Sequence, residues 1–246
     1  THDPIRFRIY SQLLKNNEDS SEPEMLRLFK QTVDLTILNY GSEHSSLIDL
    51  YCVLAYYLDV KKKDQTSAAK MYATSLKLAE KVCGEDSLEV ATIYVDLSRF
   101  HRNNGRIEDS RKGLDRAGKL YSNTTGAFRT GSSYIKYLLY SAKYLAAEKD
   151  KEPAERYLME AVKLLENLPD AARLMEVYQT ALDIYDPVKD QSRRHETLDK
   201  ILSIGVKRDI KYARYSLERS LEDYLIAQPA AKEKILNINA IMEQGR

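Results

Sequence analysis

The apolar positions of this chain recur at spacings of three and four, and from Gly41 onward that recurrence is itself repeated. Leu54 and Leu97 each follow a glycine, Gly41 or Gly84, by thirteen positions, and they lie 43 apart. Tyr72, Leu114 and Leu158 fall at intervals of 42 and 44, each with a small residue three positions on, Ser75, Ala117 or Ala161. A helical spacing nested in a period of that length predicts pairs of helices, each pair packing on the next. Close packing of two helices needs small side chains where they cross and bulky ones between. Ala55, Ser98, Ala142 and Ala181 stand at that place in the first helices, with Tyr51, Tyr94 and Leu138 four residues earlier. Ala68, Ser110 and Ala154 are their counterparts in the second helices.

Before Gly41 the pattern is looser. Asp3-Pro4 opens an apolar segment (Ile5, Phe7, Ile9, Tyr10, Leu13, Leu14). Ser21 and Glu24 then form a capping box, with Pro23 in the first turn where its missing N–H is not needed. Leu26, Phe29, Val33 and Ile37 make the stripe expected to face the core. Two more boxes, Ser46 with Asp49 and Asp86 with Glu89, predict starts of first helices. A later pair is degraded: Met175, Tyr178, Ala181, Leu182 and Tyr185 predict a helix ending at Asp186-Pro187. Its partner, from about Gln191 to Ile204, carries Arg193, Thr197 and Lys200 where small or bulky apolar residues belong. Beyond Gly205, Ile210, Ala213, Leu217, Leu221 and Leu225 predict a long amphipathic helix up to Pro229, and Ile235, Leu236 and Ile241 a short last one; such helices would seal the stack. The expected organisation is one continuous solenoid: residues 1–44 a divergent helix pair, 45–204 the repeats and 205–246 capping helices.

These positions together resemble the tetratricopeptide repeat (TPR), and the longer period with G-E-D-S-L-E-V-A at the joint resembles the form found in kinesin light chains. Over Ala91 to Leu120, Tyr94 stands at that family's tryptophan position, Leu97 and Ser98 at its leucine–glycine pair, and Gly105 and Ile107 at its turn glycine and tyrosine. Ser110, Leu114 and Ala117 match the alanine, phenylalanine and alanine of its second helix, and the family's closing proline is absent. The resemblance covers about Ser45 to Leu202. It implies an all-α, right-handed superhelical solenoid of stacked antiparallel helix pairs with C-terminal capping helices.

Composition agrees with helices. Only 9 Gly and 6 Pro occur in 246 residues, without apolar–polar alternation, and 43% of residues are apolar, enough for a buried core. The 38 basic and 37 acidic residues leave a net charge of +1, which gives no global field for nucleic acid. A basic start to the tail helix (Lys207, Arg208, Lys211, Arg214) is diluted by Asp209 and Glu218, so RNA binding there ranks below protein binding. No apolar run reaches the length of a bilayer span. Cys52 and Cys83 have no metal-ligand spacing and are expected in the core. Lys61-Lys62-Lys63 is expected in an inter-helix loop, and Asn123-Thr124-Thr125 matches a glycosylation acceptor. The chain begins at Thr1 and not at a methionine, which leaves room for a removed targeting or anchoring segment; an intracellular location is the expectation.

No H-E-x-x-H, phosphate-cradling glycine loop or nucleophile elbow occurs, and His2, His44, His101 and His195 lack a second ligand or a serine at useful spacing. Neither enzyme activity nor a metal or cofactor is expected. What the resemblance implies instead is a concave groove lined by first helices. Helical geometry then selects Asp49, Cys52, Val53, Tyr56 and Asp59; Thr92, Val95, Asp96, Arg99, Arg102 and Asn103; Lys136, Leu139, Tyr140 and Lys143; and Met175, Tyr178, Gln179 and Leu182. The partner-binding candidates among them are Tyr56, Asp96, Arg99, Arg102, Lys136, Tyr140, Lys143 and Tyr178, types enriched where partners are anchored. One TPR sub-class grips chaperone C-terminal tails through a lysine, asparagine and arginine clamp. Cys52, Tyr56, Thr92, Val95 and Arg99 stand at those places, which disfavours such tails. The expected role is an adaptor or scaffold for a partner polypeptide segment, acidic with apolar anchors; a structural or assembly subunit of a large complex is the alternative.

Overall fold

A computed structural model describes residues 22–123, 131–166, 171–186 and 189–207, and no strand occurs among them. The N-terminal apolar segment, the Ser21 cap, the two threonines of the glycosylation tripeptide and the helices expected beyond Gly205 lie outside the described side chains or residues. The chain divides into two compact units between Arg129 and Thr130. The first holds α1 (Glu22–Tyr40), α2 (Ser46–Tyr57), α3 (Gln65–Cys83), α4 (Leu88–Asn103) and α5 (Ile107–Ser122). The second holds α6 (Ser132–Ala147), α7 (Lys151–Leu165), α8 (Ala171–Ile184) and α9 (Gln191–Lys207). In the first unit α2 packs on α3 and α4 on α5, with α3 against α4 and α1 against α2. In the second α6 packs on α7, α7 on α8 and α8 on α9.

The repeat is visible in where helices begin. α1, α3, α5 and α7 start at Glu22, Gln65, Ile107 and Lys151, so their starts keep the 43-, 42- and 44-residue intervals read from the apolar pattern. α1 is therefore a second helix, and Phe29, Thr32 and Thr36 are buried in register with Tyr72, Ser75 and Ala79 of α3. This turns the expected stripe of α1: Phe29 is buried, but Leu26 and Ile37 are exposed and two threonines take the inner face. They can do so because each hydroxyl donates to the carbonyl four residues back, Leu28 for Thr32 and Thr32 for Thr36, and needs no other partner.

The small residues expected at helix crossings are all buried: Ala55, Ser98, Ala142 and Ala181 in first helices, Ala68, Ser110 and Ala154 in second helices. The tightest crossing is that of α4 and α5. A Cβ placed on Gly113 would sit 2.3 Å from the Ser98 Oγ and 3.2 Å from the Tyr94 carbonyl oxygen, so hydrogen is the largest substituent that fits. Leu114, Ala117, Leu120 and Tyr121 of α5 and Val90, Ile93 and Val95 of α4 are all buried.

Helix ends follow local chemistry, with corrections to the expected boxes. α4 starts at Ser87, not Asp86: Ser87 is extended (φ −79°, ψ 163°), and its Oγ accepts from the Val90 amide at 3.3 Å. Asp86 is left to pair with Arg116 of α5 at 2.9 Å. At α2 the cap position is Ser45, which makes no side-chain cap bond; the His44 Nδ1 accepts from the Ser46 amide at 3.3 Å, with its ring stacked on Tyr40. Gly41 and Gly84 close α1 and α3 at φ +89° and +92°, a backbone region that excludes most side chains.

The lysine run is not a loop. α2 passes into a π-helical turn over Leu58–Lys62, and Lys63, at φ +58°, ends it with its amide donating to the Leu58 carbonyl. Thirteen positions separate Ala55 from Ala68, against twelve from Ser98 to Ser110 and from Ala142 to Ala154; the wider turn takes up the additional residue. In the second unit, α9 runs on through Gly205 to Lys207, past the end expected near Ile204.

The irregular residues of α9 are accounted for by partners. Arg193 reaches both carboxylate oxygens of Glu155 on α7, at 3.0 and 2.9 Å, and lies over the Tyr185 ring. Buried Thr197 donates to the Arg193 carbonyl, and Lys200 pairs with Glu196 at 2.9 Å. Arg194 caps α8 by donating to the Leu182 and Tyr185 carbonyls at 2.6 and 3.1 Å.

Gly113→Ala should lower stability by about 1–3 kcal/mol in urea unfolding, the overpacking cost outweighing the better helix propensity of alanine. Ser98→Ala in the same chain, by removing the oxygen that is struck, should restore most of the loss.

Candidate functional site

The expected binding residues sit on first helices, and each compact unit brings its own set together. In the first unit α2 touches α4 directly, and the link is Arg99. Its guanidinium lies flat over the Tyr56 ring, 4.2 Å from the centroid, and donates to the Tyr72 hydroxyl at 2.8 Å. One side chain thus ties α2, α3 and α4. Tyr72 is wholly buried, its ring 5.4 Å from that of Phe100, and burial pushes its phenol well above the ordinary tyrosine range. Arg99 supplies a buried hydroxyl with a partner and backs an exposed aromatic ring, since Tyr56 is 44% exposed. Asp96 and Arg102 flank it on α4, each partly exposed.

In the second unit Lys136, Tyr140 and Lys143 follow one another along a face of α6, and Lys143 crosses to α8 to meet Glu176 at 3.2 Å. The Lys143 ammonium stands 5.7 Å above the Tyr140 ring. All three are partly exposed. Tyr178 differs: it is buried and lies beneath the Lys200 ammonium at 5.8 Å, so it supports the face from below and offers no open ring. Asp59, Val95, Leu139, Met175 and Leu182, which helical spacing also aimed at the groove, are buried. They belong to the packing between neighbouring helices.

Asp59 has a particular reason to be inside. The π-helical turn swings it to the end of α4, where its Oδ1 accepts from the Asn104 side-chain amide at 3.0 Å. The same amide nitrogen donates to the Phe100 carbonyl at 2.8 Å, so Asn104 closes α4 and holds the neighbouring repeat at once. Nothing in the sequence pattern marked Asn104 or Arg194, and spacing marked Tyr72 only as a bulky core position, because the hydrogen bonds of all three run to three-dimensional neighbours. Cys52 and Cys83 are free and half-buried; the Cys52 Sγ lies 3.1 Å from the Ser75 Oγ, which itself donates to the Ile48 carbonyl. Burial, more than nearby Glu89, raises the Cys83 thiol.

The described residues include no group of three or more His, Cys, Asp or Glu placed to hold a metal, and no helix long and apolar enough to cross a membrane. What the faces offer is aromatic and cationic surface held on rigid helices. No protein-family model matches the chain, and no curated protein does. Solved structures do. The crystal structure of BtubC (BKLC) from P. vanneervenii matches with a TM-score of 0.69 and 17% identity, over 98% of this chain and 93% of that one. Two crystal structures of a kinesin light chain with nearly identical TPR-like repeats from Podosopora anserina, one of them a substituted variant, match with TM-scores of 0.54 for the variant and 0.52. Each is 16% identical over 84% of this chain and 98% of that one. The chain therefore has a TPR-like helical-repeat fold.

Arg99→Ala leaves the Tyr72 hydroxyl buried without its donor and should cost about 1–3 kcal/mol in urea unfolding. Tyr72→Phe in the same chain should recover part of that loss, since the stranded hydroxyl is then gone. Burial also pushes the Tyr121 phenol up to about 12 from 10.0. A raised folded value means full stabilisation below pH 10, lost as pH rises toward 12. Melting temperature should accordingly fall across that window, and should fall less in Tyr121→Phe.

Proposed function

We propose that this protein is a non-enzymatic adaptor that holds partner polypeptide against its first helices, each unit with its own face: Tyr56, Asp96, Arg99 and Arg102 on the first, and Lys136, Tyr140 and Lys143 on the second. The observation that carries this reading is the way exposed aromatic rings are pinned by cations on these helices: Tyr56 by Arg99 and Tyr140 by Lys143. A ring fixed before binding loses little freedom when a partner covers it, which makes it an efficient anchor. Lys136 and Lys143 favour a segment that carries acidic residues, and the rings favour apolar side chains between them. Tyr178 enters the proposal as a support beneath this surface. The absence of a lysine–asparagine–arginine clamp keeps chaperone tails outside it.

A second reading, a structural subunit inside a larger complex, draws on α1. Leu38 is 80% exposed, Leu35 50% and Tyr40 55%, more apolar surface than a helix of an isolated scaffold usually leaves open.

A photo-crosslinking side chain placed at position 56 or 140 should capture a partner from a cell extract, whereas the same group at exposed Met159 or Lys70 should not. Lys136→Glu with Lys143→Glu should abolish capture at position 140 with the helical circular-dichroism spectrum unchanged. Equal capture from all four positions would defeat the assignment, and capture confined to a probe at Leu38 would favour the subunit reading.

A further inference from the structure

We propose that the edge formed by the α2–α3 and α4–α5 turns is a second docking surface, which takes an extended acidic polypeptide segment through Lys61, Lys63, Arg102 and Arg106. The Asp59–Asn104 hydrogen bond holds the two turns side by side, so cations nearly a repeat apart in sequence share one edge. Lys61, Lys63 and Arg106 are exposed and Arg102 partly so, and none of the four has an ion pair among the described residues. Three of the four carboxylates on these turns have partners of their own. Asp59 is buried on Asn104. Asp64 caps α3 by accepting from the Ser67 amide at 3.0 Å, and hydrogen bonds from Ser67, its side chain foremost, hold the carboxyl below the ordinary range. Glu108 and Asp109 stand on the first turn of α5, and Asp109 lies 4.0 Å from Lys112.

Several basic residues elsewhere are paired across helices: Lys81 with Glu43, Arg116 with Asp86, Lys143 with Glu176, Arg193 with Glu155. Lys61, Lys63, Arg102 and Arg106 have no such pairing among the described residues, and with Lys62 they put five cations on these turns against the four carboxylates Asp59, Asp64, Glu108 and Asp109. His101 responds to the same field: burial, and after it the Arg106 cation, make its imidazole harder to protonate.

The chemistry of the edge selects a polypeptide. Single-stranded nucleic acid would need open aromatic faces, but Phe100 is buried under the Arg106 guanidinium at 4.7 Å and Tyr57 lies beneath Lys62 at 5.8 Å. A membrane would need apolar side chains to insert, and Ile107 is the single large exposed one beside these turns among the described residues. Packed helices are about 10 Å apart, the reach of about three residues of extended chain at about 3.3 Å each. Carboxylates repeated at that interval would meet both turns. The surface shares Arg102 with the adaptor site, while Lys61, Lys63 and Arg106 lie at the turns and outside that site.

The test is fluorescence anisotropy of a labelled polyglutamate peptide with the full chain. Lys61→Glu/Lys63→Glu/Arg106→Glu should weaken binding at least about tenfold, and the same three residues changed to Gln should weaken it less, because charge attraction is only removed and not reversed. Reversal of Lys70, Lys77 and Lys119, exposed on α3 and α5, should change it less than about twofold, as should Lys136→Glu/Lys143→Glu, and added salt should weaken the wild-type complex. Equal losses in the edge and control variants, no measurable binding by the wild type, or tighter binding of single-stranded RNA or phosphatidylserine vesicles through the same three residues would each overturn the proposal.

Discussion

The close approach of two helices through side chains of one or two atoms is the constraint on which the rest of the molecule depends. At the α4–α5 crossing, Gly113 faces Ser98 with no room for a methyl group. Because a packed interior cannot be compressed, that contact fixes the distance between the helices and with it the positions of everything they carry. Leu114 and Ala117 are buried on the helix so held, while Arg99 on Tyr56 and Tyr72 and Asn104 beside Asp59 tie α4 to the preceding repeat.

Several polar groups inside the fold find a local answer, while the Asp59 Oδ2 and the His101 Nδ1 are buried without a hydrogen-bond partner. Thr32, Thr36, Thr180 and Thr197 return their hydroxyls to the preceding turn. Ser75 gives its hydroxyl to the Ile48 carbonyl across a helix pair, and Tyr72 takes a proton donor from Arg99. Such bonds add little net stability when made, but a buried polar atom without one is costly, so they determine which neighbouring arrangement is tolerated. Repeat proteins have few contacts between residues distant in sequence, and these cross-helix bonds are where neighbouring repeats recognise each other.

The fold was legible because its signal is periodic. Small residues at Ala55, Ser98 and Ala142 and bulky ones at Tyr72, Leu114 and Leu158 recur at a nearly constant interval, and a spacing rule can see them. The candidate surface was legible only in outline. Helical geometry placed Tyr56, Arg99, Tyr140 and Lys143 on first helices, but it also aimed Asp59, Val95, Leu139 and Tyr178 outward, and these are buried. The difference comes from neighbouring helices, whose distance and rotation no single-helix pattern contains. The same limit explains the cap of α4: Asp86 and Ser87 are both good capping residues, and Arg116, thirty positions away, draws Asp86 aside. Arg99 stood out as a possible ligand contact, and its bonds to Tyr72 and Tyr56 make it equally a clamp within the scaffold.

The widened turn at Leu58–Lys62 takes up one residue more between the crossing positions, thirteen from Ala55 to Ala68 against twelve from Ser98 to Ser110. A helix that can store a surplus residue in a single loosened coil gives evolution a place to absorb a one-codon insertion without shifting the register on either side. Length variation in such arrays then need not be confined to the loops; it can hide inside a helix, with a buried carboxylate and a neighbouring amide, Asp59 and Asn104, acting as the catch that keeps the bulge in place.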